Sequence, residues 1–440
     1  MEQEVSFAER ALDGVERMRR ADHDMRGRFA ALLLLLRGAY FTGEGKWRAM
    51  AEEDLRALWR GGVHDHVGGG FFSAGFDREW LRPSFEKRLD DNAMLAFLYA
   101  EAWEKGRMGF HREASEEALD FCLRELADPS GLYRAGRRAA QPDGESNPFL
   151  FTPAQICEIL GDEAGRHFAE CYDVTDEPNC GSGSIPNLIL NERWNLLPEG
   201  YDDLRERLRL AREERSGLLT DARTPVEANA LLLAALAKAG RVFSDRRYLA
   251  AAEELVRALS ADAAPSPSLL FALGELYAAD YDPAHIAAAS RRAPTPETLT
   301  AGGALSPEND RALAFAVLGY DALWRLTGEE NWRQRRGAVL RELCLRPERH
   351  GPESLNGLCV LLAAAHEERR LLCTAPEEEP PAALGALSAR YAPDLTLLLK
   401  TPARETALAA ACPWTADYAI GAEPRFYLCN EADGSEELRF

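Results

Sequence analysis

The chain has 440 residues, 46% hydrophobic and 28% charged, and its 72 acidic side chains outnumber 52 basic ones for a net charge of −20. So acidic a balance excludes a general nucleic-acid binder, which needs a basic face to release phosphate counterions, and argues against docking on an anionic membrane. Apolar runs such as Phe29–Leu36 fall far short of the roughly 18 residues that a membrane span needs. At this length roughly three quarters of the unfolded surface can be buried, so no disulfide or metal staple is required. The nine cysteines stand singly, at 122, 157, 171, 180, 344, 359, 373, 412 and 429, without a Cys-x-x-Cys. They read as reduced core thiols, and no zinc site is expected. Met1-Glu-Gln-Glu-Val5 lacks a basic, apolar leader, so the expected compartment is the cytoplasm.

Taken in order, nearly every periodic segment is helical. Arg28–Leu36 is almost wholly apolar, Gly43 breaks the run, and Trp47–Trp59 is amphipathic. The arrangement recurs. Ala93–Trp103 is apolar, Gly106 follows, and Glu113–Leu126 is amphipathic with Phe110 ahead of it. Ala228–Ala239, Gly240 and Tyr248–Leu259 repeat the order, as do Leu313–Leu326, Gly328 and Arg333–Leu345 with Trp332 at the turn. Leu355–His366 reads as a fifth apolar helix.

A helix apolar on all sides must be buried on all sides, whereas an amphipathic one covers it with a single stripe. The glycine is expected to supply the left-handed cap between them. Such hairpins build either an open solenoid or a closed ring with the apolar helices inside. Turn glycines at 43, 106, 240 and 328 are unevenly spaced, unlike the constant period of roughly 34 in tetratricopeptide solenoids. The expected fold is therefore all-α, a toroid of helical hairpins. Asp128–Pro153 and Pro178–Pro198 read as loops, with short strands near Gly131–Tyr133 and Phe149–Phe151. After the solvated break Ala375–Ala383, strands at Leu395–Leu399 and Arg425–Cys429 suggest a small α/β appendage. The expected division is a barrel over 1–373 and a C-terminal appendage over 374–440.

The densest polar patch is Gly61-Gly-Val-His-Asp-His-Val-Gly-Gly-Gly-Phe71, followed by Asp77, Trp80 and Pro83-Ser-Phe-Glu-Lys-Arg-Leu-Asp-Asp-Asn92. It connects an outer helix to the next inner one and so lies at one mouth of the ring. Crowded carboxylates have split pKa values, which is how general acids and bases arise. Glu86 and Asp91 are the candidate acid and base, with His64 or His66 assisting. Asp65, Asp77, Trp80, Lys87, Asp90 and Asn92 are candidate substrate contacts, joined at the same level by Asp221, Asn229 and Asp310. Plainer readings stand beside these. The triple glycine follows no strand, so a tight structural loop fits it better than a phosphate cradle. Asp90 or Asp91 reads as an N-cap for a helix starting near Asn92, and Asp221, Asn229 and Asp310 as caps too. Trp80 and Phe85 read as buried packing, and His64 and His66 as partners of loop backbone.

This run, with Leu208-Arg-x-x-Arg212, the inner helices at Asn229 and Asp310 and the closing Tyr427-Leu-Cys429, resembles the spermatogenesis-associated protein 20 family, whose bacterial members carry a thioredoxin-like domain. The resemblance implies an (α/α)6 toroid of the six-hairpin glycosidase and N-acylglucosamine 2-epimerase type. It also marks departures. The family's thioredoxin-like domain and its cysteine motif find no match. Phe72-Ser-Ala-Gly75 and Ser84 stand where the family has histidines, and Arg88-Leu-Asp-Asp-Asn92 replaces Met-Leu-Tyr-Asp-Asn. Ala135–Ala139 lacks the Asp-Ala-Asp-Ser run, Asp221-Ala-Arg223 replaces Asp-Asp-Lys, and Ala228 replaces a tryptophan.

The implied function is carbohydrate-related, with glycosidase-like or 2-epimerase-like acid–base chemistry in an axial pocket, a sugar or sugar derivative as ligand and no cofactor. The alternative is a barrel with a degenerate active site that binds a ligand or protein partner. A redox accessory to a separate thioredoxin is a third reading, opposed by the absent Cys-x-x-Cys.

Overall fold

A computed structural model describes residues 11–15, 24–142, 147–197, 199–215, 217–260, 264–300, 307–345, 352–364, 366, 369–430 and 434–438. Five antiparallel hairpins run in chain order. Met25–Phe41 pairs with Gly45–Arg60, Leu89–Gly106 with Gly109–Glu125, and Val226–Phe243 with Arg246–Ser260. Pro267–Asp280 then pairs with Pro283–Arg292, and Pro307–Thr327 with Glu330–Leu345. A 3₁₀ turn, Pro352–Leu358, runs into helix Cys359–Ala364 and forms the sixth inner element. Each inner element packs on the next and the last packs on the first, so the ring closes. The fold is an (α/α)6 toroid.

Helical residues 11–15 lie against the first inner helix. A Cβ at Gly38 would come within 2.7 Å of Leu12 Cδ2, so the glycine permits that approach. Burial divides the two layers as the sequence pattern requires. Val226–Phe243 is buried everywhere except Val226, Glu227 and Arg241. Its outer partner buries Tyr248, Ala252, Leu255 and Leu259, one stripe at helical spacing. Each such leucine stabilises the ring by about 1.5–3 kcal/mol.

The turns differ in part from expectation. Gly43 and Gly328 do hold the left-handed conformation, both at φ 71°. Gly106, however, is the last helical residue, and Arg107 takes the left-handed position at φ 55°. Gly240 lies inside its helix, and the turn falls on Ser244 at φ 56°. Gly240 serves packing instead: a Cβ there would lie 2.6 Å from Leu249 Cδ2 and 3.1 Å from the Leu249 backbone nitrogen. The hairpin Pro267–Arg292 escaped the glycine pattern because Tyr281 makes its turn, at φ 58°. Ser266 and Asp282, each followed by proline, cap its two helices.

Between Glu125 and Val226 an inserted lobe packs against the glycine-rich loop, which contributes Val67 to its core. Its helices Pro153–Leu160, Asp162–Cys171 and Tyr201–Glu213 enclose a small core with Phe168, Tyr172 and Leu208. A three-stranded antiparallel sheet ties the lobe to the ring: β1 Glu86–Arg88, β2 Gly136–Ala139 and β3 Leu218–Asp221. The strands expected near Gly131–Tyr133 and Phe149–Phe151 are only isolated bridges, Ala127 to Tyr133 and Phe151 to Ser184. Residues 143–146 and Pro198 of the two expected loops, and Ala365 of the fifth apolar helix, lie outside the described residues.

The C-terminal region adds β4 Arg369–Thr374, β5 Leu395–Lys400, β6 Arg425–Asn430 and β7 Gly434–Leu438, in the order β5-β4-β6-β7. β4 and β5 are parallel, joined through helix Ala382–Ser388, while the other pairs are antiparallel. β4 starts ahead of residue 374, the boundary read from the sequence. Trp414 Nε1 donates to the Leu326 carbonyl, seating this unit on the C-terminal ends of the inner helices. All nine cysteines are free thiols, four buried and five half-buried. Among the described residues no helix is long and apolar enough to cross a membrane.

Candidate functional site

The two mouths of the ring are built differently. At the N-terminal ends of the inner helices lies the glycine-rich segment, a loop held by side chains of β1, the second outer helix and helix Tyr201–Glu213. His64, Asp65 and His66 are all buried. Asp65 accepts Lys87 Nζ at 2.8 Å and Arg212 Nη1 at 2.9 Å, together with the backbone amides of Val67 and Gly68. Burial opposes its charge, but Arg212 and Lys87 outweigh it and hold the carboxyl well below the usual range. Lys87 also donates to the Gly69 carbonyl and sits 3.8 Å above the Phe121 ring. Its buried ammonium is pushed below the usual lysine range.

The two histidines form a closed chain. His64 Nε2 faces Glu117 Oε2 at 2.9 Å, and His66 Nε2 faces the Gly61 carbonyl at 3.1 Å. Both facing atoms are acceptors, so both Nε2 atoms carry hydrogen. The two Nδ1 atoms then meet at 3.2 Å, and one shared proton completes the chain. Burial, then the His64 ring, holds His66 well below the ordinary histidine range. Arg205 closes the cluster with bonds to Glu117 and to the His66 carbonyl. Trp59 stacks on His64 at 4.2 Å.

The remaining expected site residues also hold structure here. The inner helix begins at Leu89, so neither Asp90 nor Asp91 is an N-cap; both lie in its first turn. Asp90 accepts from Arg26, Arg88 and Arg311, and Arg311 comes from the opposite side of the ring. Asp91 is buried beside it, and burial followed by the Asp90 charge raises its carboxyl well above the usual range. Glu86 lies on β1 opposite Arg138 with its side chain exposed, so it shares no helical face with Asp90. Asn92 clamps the Phe71 backbone and Asn229 clamps that of Tyr133. Asp77 accepts the Leu81 and Arg82 amides, and exposed Arg223 pairs with Asp221. Trp80 is buried with Arg28 over its ring, and Phe85 packs on Phe72 and Phe149. Asp310 is buried at the start of the fifth inner helix.

The opposite mouth holds a chamber of about 200 Å³, walled by the last turns of the inner helices. Arg37 and Glu101 form a two-pronged pair at 2.9 and 3.0 Å. Lys238 Nζ reaches Glu104 at 2.7 Å, and Arg241 reaches the other oxygen of Glu104 at 3.0 Å. Burial opposes the charge on Glu101, but Arg37 and Lys238 hold its carboxyl down at about 2. Glu275 lines the same space without a hydrogen bond among the described residues, and burial raises its carboxyl despite Lys238 and Arg241. One wall thus carries carboxyls held down, Glu101 and Glu104, and beside them stands one pushed up, Glu275.

Segment 387–397 of the C-terminal unit roofs this chamber. The ring fastens it through charged donors: Arg107 to the Ala389 carbonyl, Arg241 to that of Ser388 and Arg325 to that of Pro393. Tyr391 donates directly to Glu101 at 3.1 Å. Sequence reading missed all these chamber residues. The available signal was charge inside an apolar helix: Arg37, Glu101, Glu104 and Lys238 interrupt helices buried all round, so their heads must face the axis.

No family model matches the chain. Spermatogenesis-associated protein 20 of Mus musculus is 28% identical over 153 residues, 31% of this chain and 19% of that protein. The Rattus norvegicus protein of that name is 31% identical over 122 residues, 26% of this chain and 16% of its own length. The chain is a divergent relative of spermatogenesis-associated protein 20. It spans less than a fifth of the length of either relative. Among solved structures, cellobiose 2-epimerase from Spirochaeta thermophila aligns at a TM-score of 0.46 and 14% identity, over 77% of this chain and 85% of that one. A family 76 glycoside hydrolase from a Bacteroides thetaiotaomicron strain aligns at 0.39 and 11%, over 77% and 56%. Closure of the ring, rather than these partial superpositions, defines the fold.

Proposed function

We propose that the chain binds a small carbohydrate-class ligand in the axial chamber and acts on it by acid–base chemistry, glycosidase-like or sugar 2-epimerase-like. Glu275 is the proton donor in this reading, and Glu101 and Glu104 are the ionised carboxylates of the wall. The observation that carries it is geometric: four carboxyl groups, those of Glu101, Glu104, Glu275 and Asp321, line one roofed, half-open space beside the Phe271 and Tyr391 rings. Ring faces suit the C–H faces of a sugar, and charged groups suit its hydroxyls. The space fits one sugar-sized ring, below the roughly 300 Å³ where drug-sized sites begin.

This reading moves the proposed chemistry away from Glu86 and Asp91. Glu86 is exposed on β1, and His64 and His66 are spent on Glu117, Gly61 and each other. One observation favours a second reading, a binding barrel without catalysis: Arg37 and Tyr391 already engage both oxygens of Glu101.

A thermal-shift screen against mono- and disaccharides, amino sugars, sugar acids and sugar phosphates tests the reading. A ligand at about 100 times its dissociation constant stabilises the fold by roughly 2.7 kcal/mol. Turnover of a hit that Glu275→Gln abolishes without weakening binding supports catalysis. Binding with no turnover supports the second reading. A flat screen on folded protein counts against both.

A further inference from the structure

Five cationic side chains line the chamber against four carboxyl groups, those of Glu101, Glu104, Glu275 and Asp321. Arg37, Lys238 and Arg241 share two carboxylates, Glu101 and Glu104. Arg325 and Arg390 line the same space. The nearest acid to Arg325 is Asp321, at 3.9 Å, and Arg336 grips that carboxylate more closely. Nη1 of Arg325 is satisfied by the Pro393 carbonyl, but its buried Nη2 has no hydrogen-bond partner among the described residues. The Arg390 guanidinium at the roof is exposed and has no ion pair among the described residues. A buried guanidinium nitrogen without an acceptor is costly, and an anion at the mouth would supply the acceptor and balance the one cation in excess. The planar fork of arginine matches the oxygens of carboxylate and phosphate alike.

We propose that the ligand of this chamber is an anionic sugar, whose carboxylate or phosphate group is held at the mouth by Arg325 and Arg390. The proposal rests on the carbohydrate reading of the same chamber. The anion takes the free Nη2 of Arg325 and the Arg390 fork, while the ring of the ligand lies inward toward Phe271 and Glu275.

Calorimetric titration of the full chain tests it with matched probes: glucose and mannose, their uronates, their 6-phosphates, and inorganic phosphate. The uronate or the 6-phosphate should bind at least ten-fold more tightly than the neutral sugar, and whichever is tighter identifies the anion. Arg325→Gln and Arg390→Ala should each cut that preference below three-fold and leave neutral-sugar binding in place. The exposed Arg390 side chain makes no hydrogen bond or ion pair among the described residues, so its variant keeps the test valid if Arg325→Gln loosens the roof. Equal affinity for neutral and anionic probes, or a preference that survives both substitutions, overturns the anion site and leaves the carbohydrate reading standing. Phosphate binding that Arg390→Ala abolishes, with no sugar bound, supports the anion site and overturns the carbohydrate reading. Absence of binding by every probe overturns both.

Discussion

Asn92 and Asn229 occupy matching places in successive inner helices, and each closes a two-way hydrogen bond on an aromatic residue of the preceding loop. Asn92 accepts the Phe71 amide at 2.6 Å and donates to its carbonyl at 2.9 Å; Asn229 treats Tyr133 the same way at 2.7 and 2.9 Å. Each amide also donates to the carbonyl of the residue just ahead of its own helix, Arg88 and Pro225. Loop and helix start are thereby locked together. Asn92→Ala strips partners from a buried amide and a carbonyl and should destabilise by about 2–4 kcal/mol. Asn229→Ala, in a part-buried setting, should lose less. Urea unfolding at constant m-value checks the order; equal or negligible losses would refute the clamp.

The position of the third hairpin turn gives a paired prediction. Gly240→Ala places a methyl against Leu249 and should destabilise by about 1–3 kcal/mol through overpacking. Ser244→Gly relieves a left-handed residue and should stabilise by about 0.5–1 kcal/mol. Opposite signs in thermal melts are expected. A neutral Gly240→Ala would return the turn to the glycine.

Asp65 is the hub of the glycine-rich loop, joining it to β1 through Lys87 and to helix Tyr201–Glu213 through Arg212. Asp65→Asn leaves two buried cations facing each other and should cost about 3–5 kcal/mol. Urea unfolding measures the loss, and one below 1 kcal/mol would contradict the hub.

The chamber carboxyls give opposite pH signatures. Glu101 is held at about 2 against an ordinary 4.5, so its contribution is present above pH 4.5 and fades as pH falls toward 2. That shift corresponds to about 3 kcal/mol. Glu275 is raised, so its protonated form contributes at low pH and the contribution is lost as pH rises through its folded value. Glu101→Gln should therefore be most damaging near neutral pH and nearly silent at the acid end. Glu275→Gln should match the wild type at pH 4 and gain stability at pH 8. Denaturation curves across that range check both signs, and parallel profiles for the two variants would contradict the assignment.

The layering of the fold was legible because all-round apolar and one-stripe helices alternate, and that contrast survives without any contact information. The hairpin at Pro267–Arg292 was not, because its turn uses Tyr281 where the pattern sought glycine. The polar run from His64 to Asn92 was legible as unusual, but its meaning was not. Clustered charge in a sequence does not distinguish a reactive site from a loop stapled by distant residues, and Glu117, Arg205 and Arg212 are distant. The chamber was obscure for the opposite reason: its charges are dispersed over separate helices and meet only when the ring closes.

The central claim is that function resides under the C-terminal roof. Hydrogen–deuterium exchange with and without the tightest-binding sugar tests it most directly. Slower exchange should appear in 387–397 and in the last turns of Leu89–Gly106, Val226–Phe243 and Pro267–Asp280. Protection confined to residues 61–92, with the roof unchanged, would place the ligand at the other mouth and contradict the account.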